Sequence, residues 1–200
     1  MEKTVRFWGA VTAVKPRLTL TKFEGVTTAK SAGYLLVVEG SFTPENEWMG
    51  KADSNRSTVG RFTVALGPAT MSRREIGVGD LIRGDAHPVP EGNPDTPADL
   101  YRVGVLRILA RAGDPGTPPI SLPDSPRTDS PLSPEQSEVA PRRALRPENL
   151  AEDGPCQLCP HGIIVPVVRL SDPRDYRGGV WRKVPACLGP EDCPHFIGLV

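Results

Sequence analysis

The chain has 200 residues, enough for one domain or two small ones, and its 24 basic and 24 acidic side chains cancel. That balance excludes a global electrostatic grip on nucleic acid or on a membrane surface. No stretch is long and apolar enough for a transmembrane helix, and Met1-Glu2-Lys3-Thr4 lacks the apolar run of a signal peptide, so a cytoplasmic protein is expected.

Taken in chain order, residues 4–20 read as a long strand, bent at Lys15-Pro16, because proline removes a ladder donor and restricts its neighbour. Gly33 to Gly40 encloses Tyr34-Leu35-Leu36-Val37-Val38, apolar on both faces and suited to a central strand. Arg61 to Leu66 alternates, with Phe62, Val64 and Leu66 on one side. Ile76 to Ile82 contains Gly77-Val78-Gly79-Asp80, a turn leading into a strand, and Leu100 to Leu109 supplies the last strand. Helical periodicity is nearly absent. An all-β fold that closes into a small barrel is the economical arrangement, since closure removes exposed sheet edges.

The long first strand, the glycine-flanked second strand and the passage Val78-Gly79-Asp80-Leu81-Ile82-Arg83-Gly84 together resemble oligonucleotide/oligosaccharide-binding (OB) barrels. The resemblance covers residues 4–110 and implies an OB-like Greek-key β-barrel over 1–112. It also implies single-stranded nucleic acid as a ligand class. A ligand face of that kind needs exposed aromatics among basic side chains. Trp8, Tyr34 and Trp48, with Arg17, Lys22, Lys30, Lys51, Arg56 and Arg61, are the candidates in this half. Trp48, Lys51 and Arg56 fall in the polar stretch from Glu45 to Thr58, and the Arg73-Arg74 pair near Arg83 is the other basic cluster. Phe7, Phe42, Phe62 and Tyr101 are expected in the core, with Trp8 also packed inside. His87 has no second histidine or nucleophile close by in sequence and is expected to be structural or exposed.

From Gly113 to Pro147 there are nine prolines and few large apolar residues. Such a segment cannot offset its ordering entropy by burial, so residues 113–150 are expected to form a disordered, semi-stiff acidic linker. Arg142-Arg143-Ala144-Leu145-Arg146 interrupts it and reads as a solvated linker end or a docking segment.

All four cysteines lie in the last 45 residues: Cys156, Cys159, Cys187 and Cys193. Each pair stands at one base of an expected hairpin, which runs out along Gly162 to Leu170 and returns along Val180 to Pro185. Thiolates are soft ligands, and four of them surround one Zn2+ tetrahedrally with no open position for substrate. A structural zinc in a zinc-stapled β-hairpin over 151–200 is therefore expected, and the segment resembles zinc ribbons. The five residues between Cys187 and Cys193 exceed the usual spacing. An iron–sulfur cluster or, outside a reducing compartment, two disulfides would use the same four residues. His161 and His195, each in a Cys-Pro-His tripeptide, are second-shell groups or alternative ligands.

Arg174, Tyr176 and Arg177 at the hairpin tip, with Trp181, Arg182 and Lys183 on the return strand, interleave bases with aromatics. That mixture suits nucleic-acid contacts and also protein interfaces. The sequence has no Gly-rich phosphate loop, no paired-histidine metal motif and no nucleophile elbow; Asp80 and Asp85 are acids without a supporting constellation. The expectation is a non-enzymatic modular protein binding single-stranded DNA or RNA. A protein-assembly scaffold is the alternative, and a hydrolase or nucleotide-acting enzyme the third reading.

Overall fold

A computed structural model of the chain describes residues 4–44, 58–115, 143–144, 150, 154, 156, 159–189 and 193. The described residues are mostly strand: β1 (Val5–Phe23), β2 (Val26–Pro44), β3 (Thr58–Leu66), β4 (Leu81–Pro88), β5 (Leu100–Ala110), β6 (Arg143–Ala144), β7 (Gly162–Arg169) and β8 (Val180–Cys187). One short helix, α1 (Pro68–Arg74), lies between β3 and β4. The chain divides into two compact units that interleave in sequence. The first holds Met1–Val14, Tyr34–Glu91 and Ala98–Leu122; the second holds Lys15–Gly33, Gly92–Pro97 and Pro123–Val200.

In the first unit the strands run in the order β2-β3-β5-β4-β1, and a further β2–β1 pairing turns the sheet into a partial ring. β2 and β3 are antiparallel from Tyr34↔Leu66 to Phe42↔Thr58, and β1 and β4 from Val5↔Ala86 to Ala10↔Leu81. β3 and β5 meet in parallel at Val64↔Leu100, so the sheet is mixed. Alternation along these strands sends Phe7, Val11, Leu36, Val38, Phe62, Val64, Leu66, Ile82 and Leu100 into one core. The Phe62 ring meets Phe7 and Phe42 edge to face, with centroids 6.2 and 5.2 Å away. β1 and β2 approach so closely at Gly9 and Gly40 that a side chain on either would enter the backbone of the other. Two glycines at that point are what bring the strands together.

Two expectations change here. Trp8 is 42% exposed, because strict alternation that buries Phe7 must turn its neighbour outward. Tyr101 is only half-buried, lying against His87 and beneath the Arg102 guanidinium. The turn expected at Gly77-Val78-Gly79-Asp80 is present and leads into strand at Leu81. The Asp80 carboxylate explains that boundary: it is buried and accepts from Gly77 N–H, Ala112 N–H and the Arg111 guanidinium at 2.9–3.1 Å. These bonds commit the segment to a turn before any ladder can start. α1 begins at Gly67-Pro68, where proline's fixed φ suits the first helical turn. It ends at Glu75 in the left-handed region, with Arg111 donating to the Arg74 and Glu75 carbonyls.

In the second unit the far ends of β1 and β2 form a hairpin closed by Glu24-Gly25, both at positive φ (47° and 79°). A two-residue turn of that kind matches the twist of the flanking strands. β1 continues the ladder by pairing in parallel with β7, Leu20↔Val167 to Lys22↔Arg169. β7 and β8 are antiparallel from Gly162↔Cys187 to Arg169↔Val180. Leu18, Leu20, Ile163, Val165 and Ala186 form the small core of this unit, with Ala29, Val167 and Leu188 against it. β6, in the stretch expected to belong to the linker, docks on β8 as Arg143↔Cys187 and Ala144↔Ala186. No helix among the described residues is long and apolar enough to cross a membrane. The proline-rich stretch 116–142 lies outside the described residues.

Candidate functional site

The β7–β8 hairpin sets the cysteines by register. Gly162 at the start of β7 faces Cys187 at the end of β8, so the chain just before β7 and just after β8 must lie side by side. The Leu188 amide donates to the His161 carbonyl at 3.0 Å, fastening the two ends. Gly162 sits against Cys156 so tightly that an added Cβ would stand 2.6 Å from the Cys156 carbonyl oxygen. Cys156 and Cys187 are buried together, with Cys159 and Leu150 packed on them. No disulfide joins any of the four cysteines.

Electrostatics reports the same gathering. Burial pushes the Cys156 thiol up to about 11, and the neighbouring Cys159, Cys187 and Cys193 add to the rise, with Lys15 opposing it. Four sulfurs whose charges resist one another favour a divalent cation, which reverses the penalty and releases their protons on binding. The Gly189 amide donates to Cys187 Sγ at 3.2 Å, a bond that strengthens as the sulfur gains negative charge. Among the described residues, no three of His, Cys, Asp or Glu already stand as a finished ligand set.

Two further side chains complete this end of the unit. His161 is buried, packs against Gly189, and has its pKa lowered by burial. Neutral imidazole beside the sulfurs fits a supporting role. His195 lies outside the described residues. Lys15, on β1, was not singled out from the sequence. It is 4% exposed, and its Nζ donates to the Cys156 and Gly162 carbonyls at 3.0 and 2.8 Å. Burial lowers its pKa to about 8, while the Cys159 and Cys156 thiols hold it up. Nothing in the local sequence Val11-Thr12-Ala13-Val14-Lys15-Pro16-Arg17-Leu18 marks this lysine as buried.

Comparison with protein-family models, with curated proteins and with solved structures finds no match to this chain.

The second candidate site occupies the other end of the same hairpin. Tyr176 and Trp181 stack edge to face with centroids 5.2 Å apart. Arg169, Arg174, Arg177, Arg182 and Lys183 are all exposed around the tip and return strand. The acids of the tip are turned to the backbone: Asp172 accepts from the Arg174 amide and Asp175 from the Gly178 amide, each at 2.8 Å. Tyr176 hydrogen-bonds Thr21, and burial raises its phenol above the ordinary value. In the first unit, Arg73 folds back on the Ala69 carbonyl of its own helix, and Arg74 follows it at the helix end. Basic residues there complement the helix dipole, which accounts for both. Asp85 pairs with Arg6 at 3.0 Å and Asp80 serves the turn, so both acids have structural partners. Trp48, Lys51 and Arg56 lie outside the described residues.

Proposed function

We propose that this chain is a non-enzymatic, modular nucleic-acid-binding protein in which an OB-like barrel is joined to a zinc-stapled hairpin. The barrel reading is supported by five strands in the order β2-β3-β5-β4-β1, the further β1–β2 pairing and the parallel β3–β5 contact. An OB fold is a five-stranded, partly open Greek-key barrel. Cys156, Cys159, Cys187 and Cys193 would hold one structural Zn2+, which supplies a cross-link in place of a large core.

The observation that carries the ligand class is the hairpin tip: a Tyr176–Trp181 pair ringed by five exposed bases whose acidic neighbours are engaged by backbone amides. Aromatic faces stack on bases of any sequence, and arginine forks hold phosphates. With no net charge on the chain, attraction must come from this local patch.

Fluorescence anisotropy with labelled single-stranded DNA and RNA, over a range of salt, tests this reading. Binding should weaken steeply with salt. The Arg182→Ala/Lys183→Ala double variant should flatten the salt slope by about one unit per removed contact. Trp181→Ala should cost about 1–3 kcal/mol for every sequence tested. Absence of binding to either strand type at low salt removes the reading. A protein partner is the second reading, favoured by Val105 and Leu109, which stand exposed on β5. Its mark is co-purification with another protein that persists at high salt.

A further inference from the structure

Lys15 is 4% exposed, and an ammonium group removed from water costs several kcal/mol unless it is paired. Its hydrogen bonds go to two neutral carbonyls, Cys156 O and Gly162 O. Among the described residues, the groups whose charge acts on it are the Cys159 and Cys156 thiols.

Metal binding changes the sum. Four cysteine thiols that take one Zn2+ release up to four protons and leave a centre of net charge −2, since four thiolates oppose two positive charges. A buried dianion needs a counter-charge as much as Lys15 does. We propose that Lys15 is the built-in counter-cation and backbone clamp of the four-cysteine centre. Its charge offsets half of the excess, and its two hydrogen bonds hold the chain on both sides of Cys159. This rests on the zinc reading above. Lys15 is thus a positioning residue, placed by β1, whose Cys156 and Gly162 partners lie more than 140 positions away in sequence.

The test uses the full chain, with Lys15→Met to remove charge and donors and Lys15→Gln to keep a donor without the charge. Zinc affinity is measured by competition with a colorimetric chelator. The visible spectrum of the cobalt-substituted proteins checks that four sulfurs remain the ligands. Both variants should bind one zinc with an unchanged cobalt spectrum and about 10–100-fold lower affinity, the usual cost of removing a group that supports metal ligands. The iron-substituted proteins give a readout specific to charge. The ferrous centre is one unit more negative than the ferric, so loss of the cation should move the reduction potential downward in both variants.

Wild-type affinity in Lys15→Met, or an unshifted potential in both variants, overturns the proposal while leaving the zinc reading intact. Wild-type affinity in Lys15→Gln alone overturns the counter-charge and leaves only a clamp. Variants that do not fold even with zinc present show that Lys15 serves the fold itself, which also overturns it. A wild-type chain that takes up no zinc fails at the earlier step, and so separates the two readings.

Discussion

Among the described residues, the first unit places fifteen buried residues in one apolar cluster, whereas the second has one cluster of five and another of two, both of the latter cysteines. A large buried aliphatic or aromatic side chain contributes about 1.5–3 kcal/mol, so the first cluster can offset much of the ordering of its strands. Beside its smaller described clusters, the second unit has thiols whose charges act on one another, a buried lysine bonded to two backbone carbonyls, and the β7–β8 register. With the proposed zinc, two routes to stability would occur in one chain, and each should fail under a different insult.

The largest expected effect follows from attacking the cysteines. On the proposed reading, chelation or Cys187→Ser should remove the zinc, and the apparent binding free energy of structural zinc is about 10–16 kcal/mol. Hydrogen exchange should show the β7 and β8 amides losing protection while those of β3, β4 and β5 keep theirs. Persistent protection of β7 and β8 in metal-free protein would break the contrast, because the small core would then suffice.

Phe62→Ala makes the opposite attack. Phe62 touches both Phe7 and Phe42, and truncation of a buried phenylalanine costs about 3–5 kcal/mol. Denaturant unfolding of the first unit should shift by that amount with zinc content unchanged at one per chain. A parallel loss of zinc would show that the two means of stabilisation are not separate.

How much of this was legible in the sequence depends on the range of the interaction that decides it. β3, β5, β7 and β8 were readable because apolar alternation and short apolar runs are local properties, visible in Arg61–Leu66 and Gly162–Arg169 respectively. The hairpin that aligns the cysteines was readable for the same reason. α1 was missed because seven residues with one buried side chain, Met71, are too few to show a helical period. The turn before β4 was readable from its glycines, but the bonds from Asp80 to Arg111 and Ala112 that hold it are long-range and were not. Lys15 was missed for a similar reason: nothing near it in sequence says that its partners lie beside a cysteine.

Asp80 offers a middle-sized test. Asp80→Ala leaves the amides of Gly77 and Ala112 without their acceptor and releases Arg111 from the carboxylate. A buried donor left unsatisfied costs about 1–3 kcal/mol, so the first unit should be destabilised by roughly that much. Asp80→Asn, which keeps one oxygen, should lose less. Equal losses would mean that charge, and not the turn's hydrogen bonds, sets the boundary of β4.

Tyr176 gives the smallest and most local effect, because the residue is 44% exposed and removing its hydroxyl leaves the edge-to-face contact with Trp181 in place. Tyr176→Phe removes the bond to Thr21 and should cost under about 1 kcal/mol. The pH dependence is the sharper measurement. Burial raises the phenol above its ordinary value of 10.0, so the folded protein keeps that proton at pH values where the unfolded chain has lost it. The folded state then binds more protons, and stability falls as pH rises through the window above 10.0. Below that window the contribution is fully present. Ultraviolet titration of tyrosinate should show one of the three tyrosines ionising late in the wild type, with that component missing in Tyr176→Phe. If the late component survives the substitution, another tyrosine carries it, and burial of the Tyr176 phenol is not its cause.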